Sequence, residues 1–413
     1  MATKLNYIDL FAGAGGLSEG FSREGFNAVA HIEADANACS TLKTRLAYHY
    51  HKEKKSLKRY YDYLRKENSR EDLWAGVPSG LLDSIIQEEI SQKNLKLLYS
   101  KIDKLLGERT VDLLIGGPPC QAYSLVGRSR DPNRMVGDAR NYLFRHYAKF
   151  LRRYEPRFFV FENVLGLMTA GNESYLNEMR NLFRKIGYQT DLGVLNAEDY
   201  GVLQRRRRVV IIGRRGSGFF DFPKLETIKN EWQIKKDLFA DLPNLRPGEE
   251  MDVATYSAPT NSYLETTDIR NGLKFTTQHI TRNHIERDLE IYSIAIDNWV
   301  NGRKRLKYNE LPLHLRTHKN VAGFLDRFKV VDPLGHSHTM MAHIAKDGHY
   351  YIYPDRDQVR SLSVREAARI QSFPDDYFFE GGRTAAFTQI GNAVPPLMAR
   401  ALAKKILELL NAK

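Results

Sequence analysis

Cysteine is scarce in this 413-residue sequence, which contains only Cys39 and Cys120. Two cysteines cannot form a disulfide framework, so a small disulfide-stabilised secreted protein is excluded and a reducing compartment is expected. No apolar run approaches the roughly 18 residues that a membrane-spanning helix requires. The N-terminal residues lack the apolar core of a signal peptide, and we therefore predict a globular chain in the cytoplasm.

Acidic residues are fewer than basic ones, with 50 Asp and Glu against 62 Lys and Arg and a net charge of +12. Lys and Arg side chains release counterions when they neutralise phosphates, so this excess favours a polyanionic partner. A solvated basic surface would give the same composition, and charge alone leaves both interpretations open. The sequence contains no internal repeat or low-complexity tract, and its length predicts two domains.

The first half of the sequence alternates between buried strands and helices. A strand, a glycine turn, a helix and a second strand open the chain, which is typical of a doubly wound, mainly parallel α/β sheet of Rossmann-like type. The alternation continues to about residue 215 and predicts helices on both faces of the sheet. The strands are predicted at 5–12, 27–35, 111–117, 157–164 and 207–215.

The sequence becomes irregular and polar after residue 215, and regular helices return only near its end. We therefore predict a first domain formed by 1–215 together with about 356–413. A second, smaller and irregular domain is predicted at about 216–355. Residues 46–100 are predicted to form a charged helical insert within the first domain.

The glycine turn GAGG follows the strand residues DLFA. Such a turn can begin a helix whose N-terminal N–H groups face a ligand. The nicotinamide fingerprint G-x-G-x-x-G fails here, because Gly13 and Gly15 fit but Ser18 occupies the third position. Glu33 ends the second strand, where an acidic side chain can hold ribose hydroxyls. A nucleoside-type cofactor is the preferred interpretation, and a purely structural turn is the alternative.

Cys120 stands in GGPPCQAYS, directly after the strand predicted at 111–117. The carboxyl end of such a strand presents ligands, and Pro119 fixes the backbone before the thiol. A zinc deaminase would carry P-C-x-x-C, but here the second cysteine is missing. Methyltransferases of exocyclic amines carry Tyr or Phe after the two prolines and need no thiol. A thiolate is needed for a poor nucleophile such as C5 of a pyrimidine, because its addition to C6 makes C5 reactive.

Charged residues follow or begin other predicted strands. Glu162, in FENV, could hydrogen-bond N3 and the exocyclic amine of cytosine, although a surface glutamate is the plain alternative. Arg206 and Arg208 alternate in an extended segment and are expected to point to the same side. The Gly- and Arg-rich loop at 124–141 is typical of a mobile lid.

Five segments together resemble the DNA (cytosine-5) methyltransferases of bacterial restriction-modification systems. These are DLFAGAGG, GGPPCQAYS, FENV, QRRRR and IGNAVPP, which occur in the family's order. The resemblance implies an S-adenosyl-L-methionine cofactor and a cytosine flipped out of double-stranded DNA. It also implies that Cys120 is the C6 nucleophile and that Glu162 engages N3. Arg208 would contact the cytosine O2, with Arg206 beside it.

The resemblance further implies the residues that bind cofactor and substrate. Phe11 is similar to the residue that stacks on adenine, and Glu33 to the ribose-binding acid. The region 216–355 would read the DNA sequence. The remaining cofactor-binding positions implied by the family are Gly13, Gly15, Gly16, Gly117, Pro119, Leu143 and Asn392, and the substrate-binding positions are Gln121, Ser124 and Gln204.

The sequence also departs from the family pattern. The acidic residue that contacts the adenine amine has no clear counterpart, and Asp103 is a candidate by position alone. Ala34 stands where a bulky residue is frequent. The insert at 46–100 looks longer than in compact members, and a DNA-facing arm, a packing element and a partner surface all stay open.

Two other functions fit parts of the same pattern. A tRNA cytosine-5 methyltransferase is the related alternative, and a catalytically silent DNA adaptor is the alternative from another class. The intact set of Cys120, Glu162 and Arg208 argues against a silent protein. The expected partners are double-stranded DNA, bound by a monomer, and a cognate restriction endonuclease encoded alongside.

Histidines are frequent in the second half of the sequence, and a metal site is one interpretation of them. No cysteine accompanies them, so polar DNA contacts or hydrogen-bonded core histidines are preferred and no metal is expected. The residues concerned are His314, His318, His336, His338, His343 and His349.

We predict that Cys120→Ser abolishes methyl transfer but leaves specific DNA binding largely intact. The thiolate is needed for bond formation and not for docking. Radiolabelled methyl transfer and a DNA-binding titration measure the two properties separately. Loss of binding as severe as the loss of turnover would contradict a purely chemical role.

Overall fold

A seven-stranded sheet organises the computed structural model, which describes residues 4–119, 142–170, 174–228, 231–317, 323 and 325–412. The strand order is β3-β2-β1-β4-β5-β8-β6. The strands of this sheet are β1 (Asn6–Leu10), β2 (Asn27–Glu33), β3 (Ile85–Gln87), β4 (Leu113–Gly116), β5 (Phe158–Asn163), β6 (Tyr188–Asn196) and β8 (Arg207–Arg215).

The first five strands of the chain run parallel, and β8 runs antiparallel to both of its neighbours, β5 and β6. Leu10 pairs with Gly116, and Gly116 pairs with Phe161, so β1, β4 and β5 end at one edge of the sheet. The order reverses between β1 and β4, which is where open α/β sheets bind ligands. The predicted doubly wound, mainly parallel fold is confirmed.

Helices cover both faces of the sheet. The α-helices of the described residues are α1 (Gly16–Arg23), α2 (Ala36–Glu53), α3 (Lys58–Leu64), α4 (Arg70–Ala75), α5 (Ser79–Leu82), α6 (Leu95–Leu106), α7 (Leu143–Tyr154), α8 (Ser174–Lys185), α9 (Ser262–Thr266), α10 (Glu286–Gly302), α11 (Val364–Ile370), α12 (Arg383–Asn392) and α13 (Pro396–Asn411). Of these, α6, α7 and α8 lie on one face of the sheet and α1 and α13 on the other. Alternate strand residues face opposite sides, as in β1, where Ile8 packs towards α6–α8 and Tyr7 towards α1 and α13.

The predicted helical insert contains α3, α4 and α5, and also the short strand β3, which the sequence pattern did not indicate. Its buried Tyr60, Leu64 and Leu73 form one apolar cluster with Leu273 and Phe275 from the second half of the chain. The insert therefore packs between α2 and the segment that carries Phe275, which favours the packing interpretation of its role.

Two small sheets accompany the main sheet in the described part of the chain. One pairs β9 (Glu250–Thr255) with β10 (Phe275–Ile280) antiparallel, and the other pairs β7 (Gln204–Arg205) with β11 (Ser337–His338). Buried side chains of the second half of the chain, such as Tyr263, Met340 and Ile344, share one core cluster with Ala368 and Ile390 of α11 and α12. The predicted division of the chain at about 216 and 355 stays a prediction.

Within the described ranges, no helix combines the length and the apolar character needed to cross a membrane.

Gly20 lies where α1 packs tightly against α13, and a substitution at this position tests the packing of the two helices. A Cβ built on Gly20 would lie 2.5 Å from the Ala399 Cβ and as close to backbone atoms, so the helices would have to separate. Because overpacking typically costs about 1–3 kcal/mol, we expect Gly20→Ala to lower the free energy of unfolding by at least about 1 kcal/mol.

Gly80→Ala in α5 is the matched control, because nothing lies within 4 Å of the Cβ that it adds. This substitution should be neutral or stabilising by up to about 1 kcal/mol. Urea denaturation of the two variants measures both effects. Equal stabilities for the two variants would contradict the assignment of Gly20 as a packing constraint.

Candidate active site

A cleft of about 2010 Å³ opens at the carboxyl edge of β1, β2, β4 and β5 and extends to residues 327–350 and α12. Cys120, Gln121, Ser124 and the loop 124–141 lie outside the described residues, and Pro119 is the last described residue before them. Of the residues predicted from the sequence, the cleft is lined by Phe11, Gly13, Gly16, Glu33, Gly117, Pro119, Leu143, Glu162, Arg208 and Asn392.

Glu33 holds the glycine turn from the end of β2. Its Oε2 accepts a hydrogen bond from the Gly13 N–H at 2.7 Å, and its Oε1 accepts from the N–H groups of Ala34 and Asp35 at 2.8 Å. A carboxylate offers about four acceptor positions, so roughly one stays available for a ligand donor. Glu33 therefore shapes the turn and can still accept a ribose hydroxyl.

The turn leaves space where a nucleoside cofactor is expected. Gly13 has φ +54°, and a Cβ built on it would meet no atom within 4 Å. Phe11 also has a positive φ, of 60°, and lines the cleft; such strain in a non-glycine residue is frequent at ligand sites. An open glycine, an aromatic side chain and an acceptor on Glu33 together fit an adenosine-containing cofactor.

Gly15 departs from its predicted role. It has φ +80°, caps α1, and is not among the cleft-lining residues; its Cβ would meet the Leu42 side chain at 2.7 Å. The Tyr377 hydroxyl donates to the carbonyl of Ala14 immediately before it. Gly15 therefore shapes the turn by its backbone conformation and does not contact the cleft. Gly16 lines the cleft and also allows close approach of the Val394 carbonyl.

Ser18, which breaks the nicotinamide fingerprint, has a clear local role. Its hydroxyl donates to the carboxyl group of Asp9, which is buried in β1 and borders the cleft. Burial raises the pKa of Asp9 to about 7. The hydroxyl donor stabilises this carboxyl group beneath the turn, and glycine at position 18 would remove that donor.

Glu162 and Arg208 form an ion pair at the same edge, with 2.8 Å between Arg208 Nε and Glu162 Oε1. Each side chain is 13% exposed, so the pair is largely screened from solvent but can still meet a ligand in the cleft. The two residues come together because β8 is antiparallel to β5: β8 begins where β5 ends.

The segment that leads to Cys120 is fixed against this pair. A Cβ on Gly117 would lie 2.6 Å from Glu162 Oε2, so only glycine leaves the carboxylate in place. Asn163, which is buried, donates from Nδ2 to the Pro118 carbonyl at 3.2 Å. Sequence reasoning did not single out Asn163, although it belongs to the FENV motif. Together these contacts fix Gly117 and Pro118 against the end of β5.

Arg206 and Gln204 do not occupy the predicted positions beside the substrate. Both side chains are fully buried, and neither is among the residues that line the cleft. Arg206 donates to backbone carbonyls, while Arg208 turns to Glu162. The expectation that the two arginines point together is wrong, because Arg206 lies between β7 and β8 and not within a continuous strand.

Asp103 is also excluded as the contact for an adenine amine. It lies on α6, where it pairs with Arg153 and accepts from the Tyr154 hydroxyl at 3.0 Å, and it is not among the cleft-lining residues. Two acidic residues that follow β3, Glu88 and Glu89, border the cleft instead, and of these Glu88 pairs with Lys101. No sequence pattern indicated Glu89, because β3 has only three residues and was taken as part of a helix.

Cys39, the other cysteine, is set apart by its environment. It is 2% exposed on α2, and its thiol donates to the Glu33 carbonyl at 3.4 Å. Burial raises the pKa of this thiol to about 12, so it is not a nucleophile near neutral pH. Of the two cysteines, only Cys120 follows a strand end at the cleft.

The histidines of the second half are spread over several environments. His343 and His349 line the cleft, His338 bonds a backbone carbonyl and His314 faces a surface glutamate. His318 lies outside the described residues. In the part of the chain that the structure describes, no group of three or more His, Cys, Asp or Glu side chains is arranged to hold a metal ion.

Comparisons with known proteins identify the family. Residues 5–78 and 83–408 match the family described as C-5 cytosine-specific DNA methylase. The chain is 42% identical to Type II methyltransferase M.Bpa9945I of Bacillus paralicheniformis, covering 98% of this chain and 99% of that one. It is 30% identical to Type II methyltransferase M1.HphI of Haemophilus parahaemolyticus, covering 98% and 87%. The chain therefore belongs to the C-5 cytosine-specific DNA methylases and is an enzyme that methylates C5 of cytosine in DNA.

Solved structures agree on the fold. A prophage-encoded DNA modification methyltransferase of E. coli superimposes with a TM-score of 0.66 at 23% identity, covering 99% of this chain and 100% of that one. The S. pombe Dnmt2 methyltransferase gives 0.53 at 17% identity, covering 99% and 100%. At these identities the likeness shows the methyltransferase fold, which the sequence predicted.

Gly117→Ala should lower methyl transfer without unfolding the protein. The added Cβ displaces the flexible end of Glu162 and loosens its pair with Arg208. Because misplacing a catalytic group by about 1 Å can cost up to about 100-fold, we expect kcat to fall at least about tenfold. Thermal unfolding should change little. A variant with wild-type kcat would contradict the proposed dependence on the Glu162 position.

Proposed function

We propose that this protein methylates one cytosine within a specific sequence of double-stranded DNA, with S-adenosyl-L-methionine as the methyl donor. The observation that carries the proposal is the Glu162–Arg208 pair, which borders the cleft beside the Gly117–Pro119 segment that leads to Cys120. A carboxyl group and a guanidinium group held together can bind the N3 and O2 edge of a flipped cytosine.

The chemistry follows from the electron demand of the cytosine ring. The Cys120 thiolate adds to C6 and forms an S–C6 bond, which moves the C5–C6 electron pair towards C5. Glu162 shares a proton with N3, and Arg208 donates to O2, so the charge that develops on the ring is stabilised. As C5 gains the methyl group, the bond between that group and the donor sulfur would break and the sulfur would keep the electron pair. C5 then loses its proton to water or hydroxide, and the C5–H electrons re-form the C5–C6 double bond. The S–C6 bond breaks with its electrons on sulfur, which restores the thiolate.

The cofactor supplies an electrophilic methyl group when it is bound. Phe11 would pack on its adenine, the acceptor left on Glu33 would bind a ribose hydroxyl, and Gly13 leaves room for the bound molecule. Glu89 would accept from the adenine amine in place of Asp103, and Asn392 lines the cleft beyond the turn.

The region 216–355 would read the DNA sequence. It contributes Thr339, His343 and His349 to the same cleft as Glu162. The relatives that carry the name Type II methyltransferase support a role beside a cognate restriction endonuclease. Action as a monomer on DNA in the cytoplasm is part of the same proposal.

Radiolabelled methyl transfer from S-adenosyl-L-methionine to plasmid DNA and to tRNA tests this function. We expect label in DNA, and bisulfite sequencing of the product should place it at one short recognition sequence. DNA that carries 5-fluorocytosine at that site should form a covalent adduct, because fluorine at C5 cannot leave as a proton.

Glu162→Gln is the informative variant for the same assay. Its amide cannot share a proton with N3, so turnover should fall by about 100-fold or more, within the range for general acid catalysis. Label in tRNA and in no DNA would contradict the proposed substrate. Absence of an adduct with the fluorinated DNA would contradict addition to C6.

A further inference from the structure

Arg206 joins two segments that come from distant parts of the chain: residues 339–343, and residues 391–393 at the C-terminal end of α12. Its side chain is fully buried, and its Nη1 donates to the Met340 carbonyl. Its Nη2 donates to the carbonyls of Gly391 at 3.2 Å and Ala393 at 2.8 Å. One guanidinium therefore bridges residue 340 and the end of α12.

Both segments face the cleft. The segment 339–343 contributes Thr339 and His343 to its wall, on the side proposed to meet DNA. The segment 391–393 contributes Asn392, on the side proposed to meet the cofactor. The two backbones touch, because a Cβ on Gly391 would overlap the backbone of Ala342. A shift of either segment must therefore move the other or break this contact.

Gln204 completes the bridge from the same segment as Arg206. Its Oε1 accepts from the Met340 N–H at 2.7 Å, so both the N–H and the carbonyl of Met340 are held. Its Nε2 donates to Gln371 Oε1 at 2.7 Å, and Gln371 in turn donates to the Ile390 carbonyl at 2.6 Å. Two routes therefore connect the segment 204–206 to residues 390–393: one is direct, through Arg206, and the other runs through Gln204 and Gln371.

We propose that Arg206 is a positioning residue that holds the DNA-facing segment 339–343 and the cofactor-facing segment 391–393 in a fixed relative position, so that occupancy of either side strengthens binding at the other. The inference rests on the proposed function of the cleft. A ligand that fixes one segment lowers the cost of ordering the other through the shared guanidinium, and such coupling is reciprocal.

The test compares the affinity for a duplex that contains the recognition sequence with and without S-adenosylhomocysteine, which binds like the cofactor but carries no methyl group. We expect the wild-type chain to bind DNA about tenfold more tightly with this compound, within the range of about 5–150-fold typical of coupled sites. In Arg206→Met the ratio should fall to about 1, and in Arg206→Lys it should lie between these values.

Arg365→Met is the matched control. Arg365 is also fully buried and donates to three backbone carbonyls, those of Thr277, Pro374 and Tyr377. None of these three residues lines the cleft, whereas Gly391 and Ala393, which accept from Arg206, do. Its loss should lower the melting temperature as Arg206→Met does and leave the DNA affinity ratio at the wild-type value.

Three outcomes would overturn the proposal. They are a wild-type ratio of 1, an unchanged ratio in both Arg206 variants, and an equal loss of the ratio in Arg365→Met. If Arg206→Met does not fold, Arg206→Lys carries the comparison. Since the readout is DNA binding with an unreactive compound, it is independent of the methyl-transfer assay, and the failure of one does not imply the failure of the other.

Discussion

The ion pair between Glu162 and Arg208 depends on a single reversal in an otherwise parallel sheet. In a fully parallel sheet only strand ends meet at the active edge, and the first residues of a strand lie at the far edge. Because β8 runs antiparallel to β5, Arg208 near the start of one strand meets Glu162 near the end of the other. The cleft therefore has a carboxylate and a guanidinium side by side, and both groups are on strands and not on a long loop.

The glycines that follow β1 and β4 are explained by three different constraints. Gly13 needs a positive φ and leaves open space, Gly15 needs a positive φ to begin α1, and Gly117 leaves room for a carboxylate. These constraints are distinct although the residue is the same. Each glycine in such a motif therefore meets its own geometric requirement, and only some of these requirements concern the ligand.

The sequence predicted the parts of this protein that local patterns encode. The strand predicted at 207–215 coincides with β8, because its run of apolar residues is continuous and is bounded by arginines. The strand β3 was missed because three residues carry too little periodicity. The direction of β8 and the burial of Arg206 were missed because strand pairing and distant carbonyl acceptors set them, and neither leaves a local signal. The choice of Asp103 was wrong for the same reason, since the acidic residues that border the cleft, Glu88 and Glu89, follow the strand that was missed.

The hydrogen bond from Tyr377 to Ala14 spans 363 residues and bears on how the protein matures during synthesis. Contacts of such long sequence separation form late, since the chain between them must first be made and then ordered. The glycine turn is synthesised long before Tyr377, which binds its carbonyl, and before Asn392, which lines the cleft beside it. A nascent chain whose first strands have paired would therefore still lack part of the proposed cofactor site, and it could modify DNA only after residue 392 has left the ribosome.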